Sequence, residues 1–151
     1  MQAEKPMTRE EVIRNYRRFL ADTRLTTDDV WLGGGSALII HGLRETTMDL
    51  DAGCRQNTMR KVARHFNRTP MAKGPKDGYI ADCMLLPLED YWMDLHSETT
   101  TIRNDLALID GVSVYTLEAC LRQKQILAAK LDREKDHVDI ANIKRAMKER
   151  G

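Results

Sequence analysis

The chain has 151 residues, enough for one domain with a real core, and at 42% apolar and 31% charged it has the composition of a soluble globular protein rather than of a disordered segment. A formal net charge of +1 argues against a dedicated nucleic-acid coat protein, while leaving local patches open. No window approaches the roughly 18 uninterrupted apolar residues of a membrane span, and MQAEKPMTREE at the N-terminus lacks the apolar core of a signal peptide, so a cytoplasmic protein with no membrane partner is expected.

In chain order, Thr8 with Glu11 forms a capping box, and Val12, Ile13, Tyr16, Phe19 and Leu20 recur on one face, which predicts a first helix. VWL at 30–32 predicts a short strand running into Gly33, Gly34 and Gly35, and SALIIHGL a short helix behind them. MDLDA alternates as a strand. NTMRKVARHF at 57–66 predicts a helix capped by Asn57 or Thr58, and the Gly and Pro content of 70–78 predicts a loop. Strands are expected near YIADCMLL and YWMDLH, and NDLALIDGVSVYT predicts a hairpin around Asp110-Gly111. TLEACLRQKQILAAKL and DHVDIANIKRAMKER predict two closing helices. With no repeat and no low-complexity linker, residues 1–151 read as a single α+β domain.

The glycines and the aspartates after them carry the chemistry. A strand entering a glycine-rich turn and leaving through a helix lets backbone N–H groups approach phosphate oxygens, and Ser36 adds a hydroxyl. On the following strand Asp49 and Asp51 point one way while Leu50 points to the core, so two carboxylates share a face. Mg²⁺ prefers carboxylate, water and phosphate oxygens, and a nucleoside triphosphate (NTP) site with Mg²⁺ is the expectation.

Gly34-Gly35, thirteen residues and then DLDA between apolar positions resemble the DNA polymerase beta-type nucleotidyltransferase superfamily. GGSAL (34–38), HGLRETTMDLD (41–51) and KLDREKDHVDI (130–140) are similar to the small AbiEii-toxin-like branch, with only two residues between Lys130 and Arg133 where that branch has more. The resemblance implies a nucleotidyltransferase fold, a small mixed sheet flanked by helices with C-terminal helices. It also implies a third carboxylate on a neighbouring strand, for which Asp94 in WMDLH and Asp82 in IADCM both fit, Asp94 being preferred. Two Mg²⁺ ions on Asp49, Asp51 and Asp94 would then serve attack of an acceptor hydroxyl on the α-phosphorus. Gly34, Gly35 and Ser36 would take the NTP, and Arg44 and Lys130 its β- and γ-phosphates.

Other features read as structure first. His41, His65 and His137 show no zinc spacing, and His96 is notable only because it shares the face of Asp94. Cys54, Cys83 and Cys120 form no CxxC pair and read as reduced thiols. Arg133, Lys135, Asp136 and Asp139 make a salt-bridge lattice at helical spacing or a contribution to catalysis. From Arg55 to Lys76 the chain has seven cations and no acid. Arg60, Lys61 and Arg64 share one side of a helix, a surface suited to tRNA or another RNA as acceptor. Three functions are open: NMP transfer to RNA or protein in a toxin–antitoxin or phage-defence setting, with an antitoxin as partner; nucleotidylation of a lincosamide- or aminoglycoside-type antibiotic; and a catalytically idle binding module of the same fold.

Overall fold

The computed structural model describes residues 5–72, 80–88, 90–98 and 105–150. Helix α1 (Arg9–Thr23) begins at the Thr8–Glu11 capping box, with both reciprocal bonds made, and buries Val12, Tyr16, Phe19 and Leu20. Strand β1 (Val30–Leu32) runs directly into α2 (Gly34–Ile40), which starts inside the glycines rather than behind them. Strand β2 (Asp49–Cys54) leads into α3 (Gln56–Phe66). This helix starts one residue earlier than its sequence suggests, and neither Asn57 nor Thr58 caps it. Because β2 stays paired through Cys54, Arg55 becomes the extended N-cap and gives no side-chain cap bond, while Asn57 accepts from the N–H of Thr58.

The expected loop at 70–78 holds a two-residue strand, β3 (Met71–Ala72), and 73–79 lie outside the described residues. Strands β4 (Ile80–Pro87) and β5 (Trp92–Glu98) follow, then the hairpin of β6 (Leu106–Ile109) and β7 (Val112–Tyr115). Its turn residues Asp110 and Gly111 have φ of 50° and 76°, the primed turn that matches strand twist. Helices α4 (Leu117–Leu131), capped by Thr116, and α5 (Glu134–Arg150) close the chain.

The strands form one mixed sheet of order β3-β4-β5-β2-β1-β7-β6, in which β2–β5 and β1–β7 are parallel and the other pairs antiparallel. Alternation gives the sheet two unlike faces. Leu50 and Ala52 of β2 stand opposite Met93 and Leu95 of β5, all fully buried, while Asp49 and Asp51 stand opposite Trp92 and Asp94 on the other face. The apolar face is covered by α1 and α3: Met59 and Val62 join its core, and Phe66 of α3 stacks on Phe19 of α1 at 6.2 Å. The polar face is met by α2 and α4.

One buried hydroxyl ties α1 to the sheet. Tyr16 donates to the Val30 carbonyl at 2.7 Å and accepts from the Ser113 N–H at 3.4 Å, joining β1 and β7. Tyr16→Phe keeps the ring and leaves those groups short of a partner, so it is expected to cost about 1–2 kcal/mol, read as a lower urea midpoint at unchanged m-value.

Candidate active site

The glycine turn is built around a carboxylate. Gly34 has a φ of +50°, and a Cβ there would lie 2.5 Å from Oδ2 of Asp51, so both backbone and space require glycine. The N–H of Gly35 donates to the Asp51 carboxylate, and a Cβ on Gly35 would lie 2.5 Å from Nη1 of Arg44 and 3.1 Å from Oγ1 of Thr47. The turn is therefore a close meeting of backbone, carboxylate and guanidinium. Ser36 is fully buried, and its hydroxyl accepts from the Asp51 N–H at 2.9 Å and donates to the Asp49 carbonyl at 3.1 Å. It staples α2 to the acidic strand, with its hydrogen-bonding capacity directed at the backbone.

Asp51 and Asp94 are direct partners across the parallel β2–β5 pair, with Asp49 one pair further along, level with Trp92. Burial, then the charges of Asp94 and Asp49, push the Asp51 carboxyl from its ordinary 3.8 up to about 6, against the opposing pull of His96 and the Gly35 N–H. Asp82, the rival third acid, lies on the opposite face, where it exchanges hydrogen bonds of 3.0 and 3.3 Å with Ser97. Alternation alone left the two aspartates equivalent; the β4–β5 register separates them.

Beyond Asp94 the face continues through His96, noted in the sequence for sharing it, into two buried polar groups that sequence reasoning missed, Glu98 and Tyr115. His96 Nε2 lies 3.4 Å from Oε1 of Glu98, whose side chain is wholly buried, and the Tyr115 hydroxyl donates to Oε2 of the same carboxylate. Burial alone would lower His96, but the bond and charge of Glu98, then Asp94 and Asp51, outweigh it and raise its pKa. Glu98 falls at the end of the MDLH strand, where period-two spacing from Asp94 would have put it on this face.

A cavity of about 230 Å³ opens over these groups. Gly34, Asp51, Asp94 and His96 line its sheet side, Gln123 and Lys124 of α4 line the other, and Leu38 and Leu127 make apolar walls. Cys83 and Cys120 also border it, and all three cysteines are free. Lys130 is exposed near the end of α4 and does not line the cavity, whereas Lys124 does and is nearly buried. Cys120, Lys124 and Leu127 fall at i, i+4 and i+7, so a lysine interrupting an apolar stripe was the available signal. Lys124 Nζ lies 2.9 Å from Asp139 and 3.4 Å from Asp136, and Asp139 also takes Nη2 of Arg44 at 3.2 Å. Of the lattice expected at helical spacing, the Arg133–Asp136 pair at 2.8 Å is present, whereas Asp139 pairs out of its helix with Lys124 and with Arg44 at the glycine turn, because the packing of α4 on α5 brings Lys124 closer than any cation on its own helix.

Arg60, Lys61 and Arg64 are exposed on α3, none lines the cavity, and the helix covers the other face of the sheet. Of the remaining histidines, His41 bonds the Tyr115 carbonyl and His137 pairs with Asp132.

Among the described residues no three His, Cys, Asp or Glu side chains are gathered as a ready ligand set for a metal. Mg²⁺ does not need one, since it keeps most of its shell for water and phosphate and takes one or two carboxylates. Asp51 and Asp94 fit that demand as hard oxygen donors, and the raised proton affinity of Asp51 marks carboxylate charge that is not fully offset. No helix among the described residues is long and apolar enough to cross a membrane.

No family profile and no curated protein matches the chain by sequence. Solved structures do match in shape. A candidate nucleotidyltransferase of Thermotoga maritima superposes with a TM-score of 0.62 at 13% identity, over 82% of this chain and 91% of its own. The antibiotic-resistance factor ANT(2'')-Ia, in complex with adenylyl-2''-tobramycin, gives 0.62 at 16% identity over 91% and 90% of the two chains. Its solution structure gives 0.59 at 16% identity over 93% and 83%. With its mixed sheet, its glycine turn and five flanking helices among the described residues, this chain has the nucleotidyltransferase fold.

Proposed function

We propose that the chain transfers an NMP group from an NTP to an acceptor hydroxyl. The observation that carries this reading is the Asp51–Asp94 pair, with Asp49 beside it, set against a glycine turn that also bears Arg44. Mg²⁺ on these carboxylates would offset their repulsion, screen the triphosphate and acidify the acceptor hydroxyl. The hydroxyl oxygen bonds to the α-phosphorus, the bond to the bridging oxygen breaks, pyrophosphate leaves, and Asp94 takes the hydroxyl proton. Arg44 and Lys124 offset the charge on the departing pyrophosphate. Incubation with each α-labelled NTP, Mg²⁺ and total RNA tests the assignment: label is expected in a macromolecular product, and no transfer to any acceptor would overturn it.

We further propose an RNA acceptor of the kind the toxin-like resemblance implies, because Arg60, Lys61 and Arg64 form an exposed basic side free of acids. The backbone would run behind the sheet while its end turns into the cavity. Acceptor affinity is then expected to fall by about 0.7 log unit per log unit of salt for each phosphate contact, and Arg60→Glu with Arg64→Glu to lose RNA labelling while keeping NTP binding. A small-molecule acceptor is the second reading, favoured by the position of α3 across the sheet from the cavity. Insensitivity of RNA binding to both salt and the double substitution would select it.

A further inference from the structure

The charge cluster between the glycine turn and the C-terminal helices joins residues far apart in the chain: Arg44 follows α2, Lys124 lies on α4, and Asp136 and Asp139 lie on α5. Asp136 is fully buried and Asp139 and Lys124 nearly so, unlike a surface salt bridge, which contributes little. A buried ion pair seldom stabilises a fold better than apolar side chains of similar volume would, so its presence calls for another reason. The geometry supplies one. Arg44 gives Nη2 to Asp139 and keeps Nη1 over Gly35, at the place where a Cβ would otherwise stand. Lys124 donates to Asp136 and lies 2.9 Å from Asp139 at the wall of the cavity it shares with Asp51 and Asp94.

We propose that Asp139 is a positioning residue that holds Arg44 and Lys124 as a two-pronged clamp for the triphosphate, making the C-terminal helix α5 part of the nucleotide site. The inference rests on the nucleotidyl-transfer reading. Asp139 touches neither nucleotide nor metal; it acts by fixing where two cations present their remaining donors. Asp136 supports it from the far side of Lys124, anchored in turn by Arg133.

The test is a double-mutant cycle in binding, with Mg-ATP and with inorganic tripolyphosphate as probes, measured by calorimetry on protein shown to be folded by circular dichroism. Asp139→Ala is expected to weaken both probes about tenfold, because tripolyphosphate carries the charge the clamp reads without a base or sugar. In an Arg44→Ala, Lys124→Ala background, the same substitution is expected to change affinity less than about twofold, since the residues it positions are gone. A merely structural role would instead lower the melting temperature and give the same loss in both backgrounds. Wild-type affinity in folded Asp139→Ala, or equal losses with and without Arg44 and Lys124, overturns the inference and leaves the nucleotidyl-transfer reading standing. If the wild-type protein binds neither probe, that reading falls and takes the inference with it. Should Asp139→Ala not fold, Asp139→Asn is measured in its place and judged by the same cycle.

Discussion

Asp51→Asn is expected to abolish NMP transfer and, at the same time, to make the metal-free protein more stable at pH 7. The two effects share a cause. Burial and the neighbouring Asp94 and Asp49 hold the Asp51 carboxyl at about 6 in the folded state, against an ordinary 3.8. An acid whose folded pKa is raised binds more protons folded than unfolded across that window. Stability therefore declines as pH rises through it, and the full penalty stands above the folded pKa. Asparagine removes the charge, keeps the shape and still accepts from the Gly35 N–H. The gain is expected to reach up to about 3 kcal/mol at neutral pH and to vanish below about pH 4. Added Mg²⁺ should raise the melting temperature of the wild type and do so far less in the variant. Transfer itself should fall by at least about 10²–10³-fold. Asp94→Asn is expected to lose transfer as well, whereas Asp82→Asn, across the sheet and bonded to Ser97, should remain active. Wild-type transfer by Asp51→Asn would sink the enzyme assignment.

Gly35→Val is expected to cost nucleotide affinity much more than stability. The new Cβ would stand 2.5 Å from Nη1 of Arg44 and 3.1 Å from Oγ1 of Thr47, whose hydroxyl donates to the Asp49 carbonyl at 3.2 Å. The guanidinium is the end of a flexible side chain and can swing away. Thr47 has to yield by only a few tenths of an ångström, so the folded protein should survive at a cost of about 1–3 kcal/mol. The displaced Arg44 and the branched side chain together close the approach to the turn, and NTP affinity should drop at least about tenfold. Calorimetry on the folded variant checks this, and unchanged binding would make the turn purely structural.

What the sequence by itself determined is local and periodic. The Thr8–Glu11 box, the Asp110-Gly111 turn, the Asp49–Leu50–Asp51 alternation and the order of glycine turn and acid pair depend on residues within a few positions of one another, where propensity and period act without help. The capping of α3 shows where even local preference yields: β2 pairing through Cys54 leaves Arg55 as the cap, and Asn57 and Thr58 are already inside the helix. Which of Asp94 and Asp82 stands on the face of Asp51 belonged to the tertiary structure, because both sit in the same alternating pattern and only the β2–β5 and β4–β5 registers place Asp94 opposite Asp51 and Asp82 opposite Ser97. So did the setting of the α4 lysines, where the phase of the helix against the sheet brings Lys124 to the cavity and leaves Lys130 exposed. The basic side of α3 was legible as a stripe, but not its place across the sheet from the acids. The meeting of Arg44 with Asp139, 95 residues apart, had no sequence signal of its own. Periodicity sets the direction of a side chain relative to its own strand or helix; which faces then meet depends on register and packing among elements distant in the chain, and that is settled only when the apolar face of the sheet is buried.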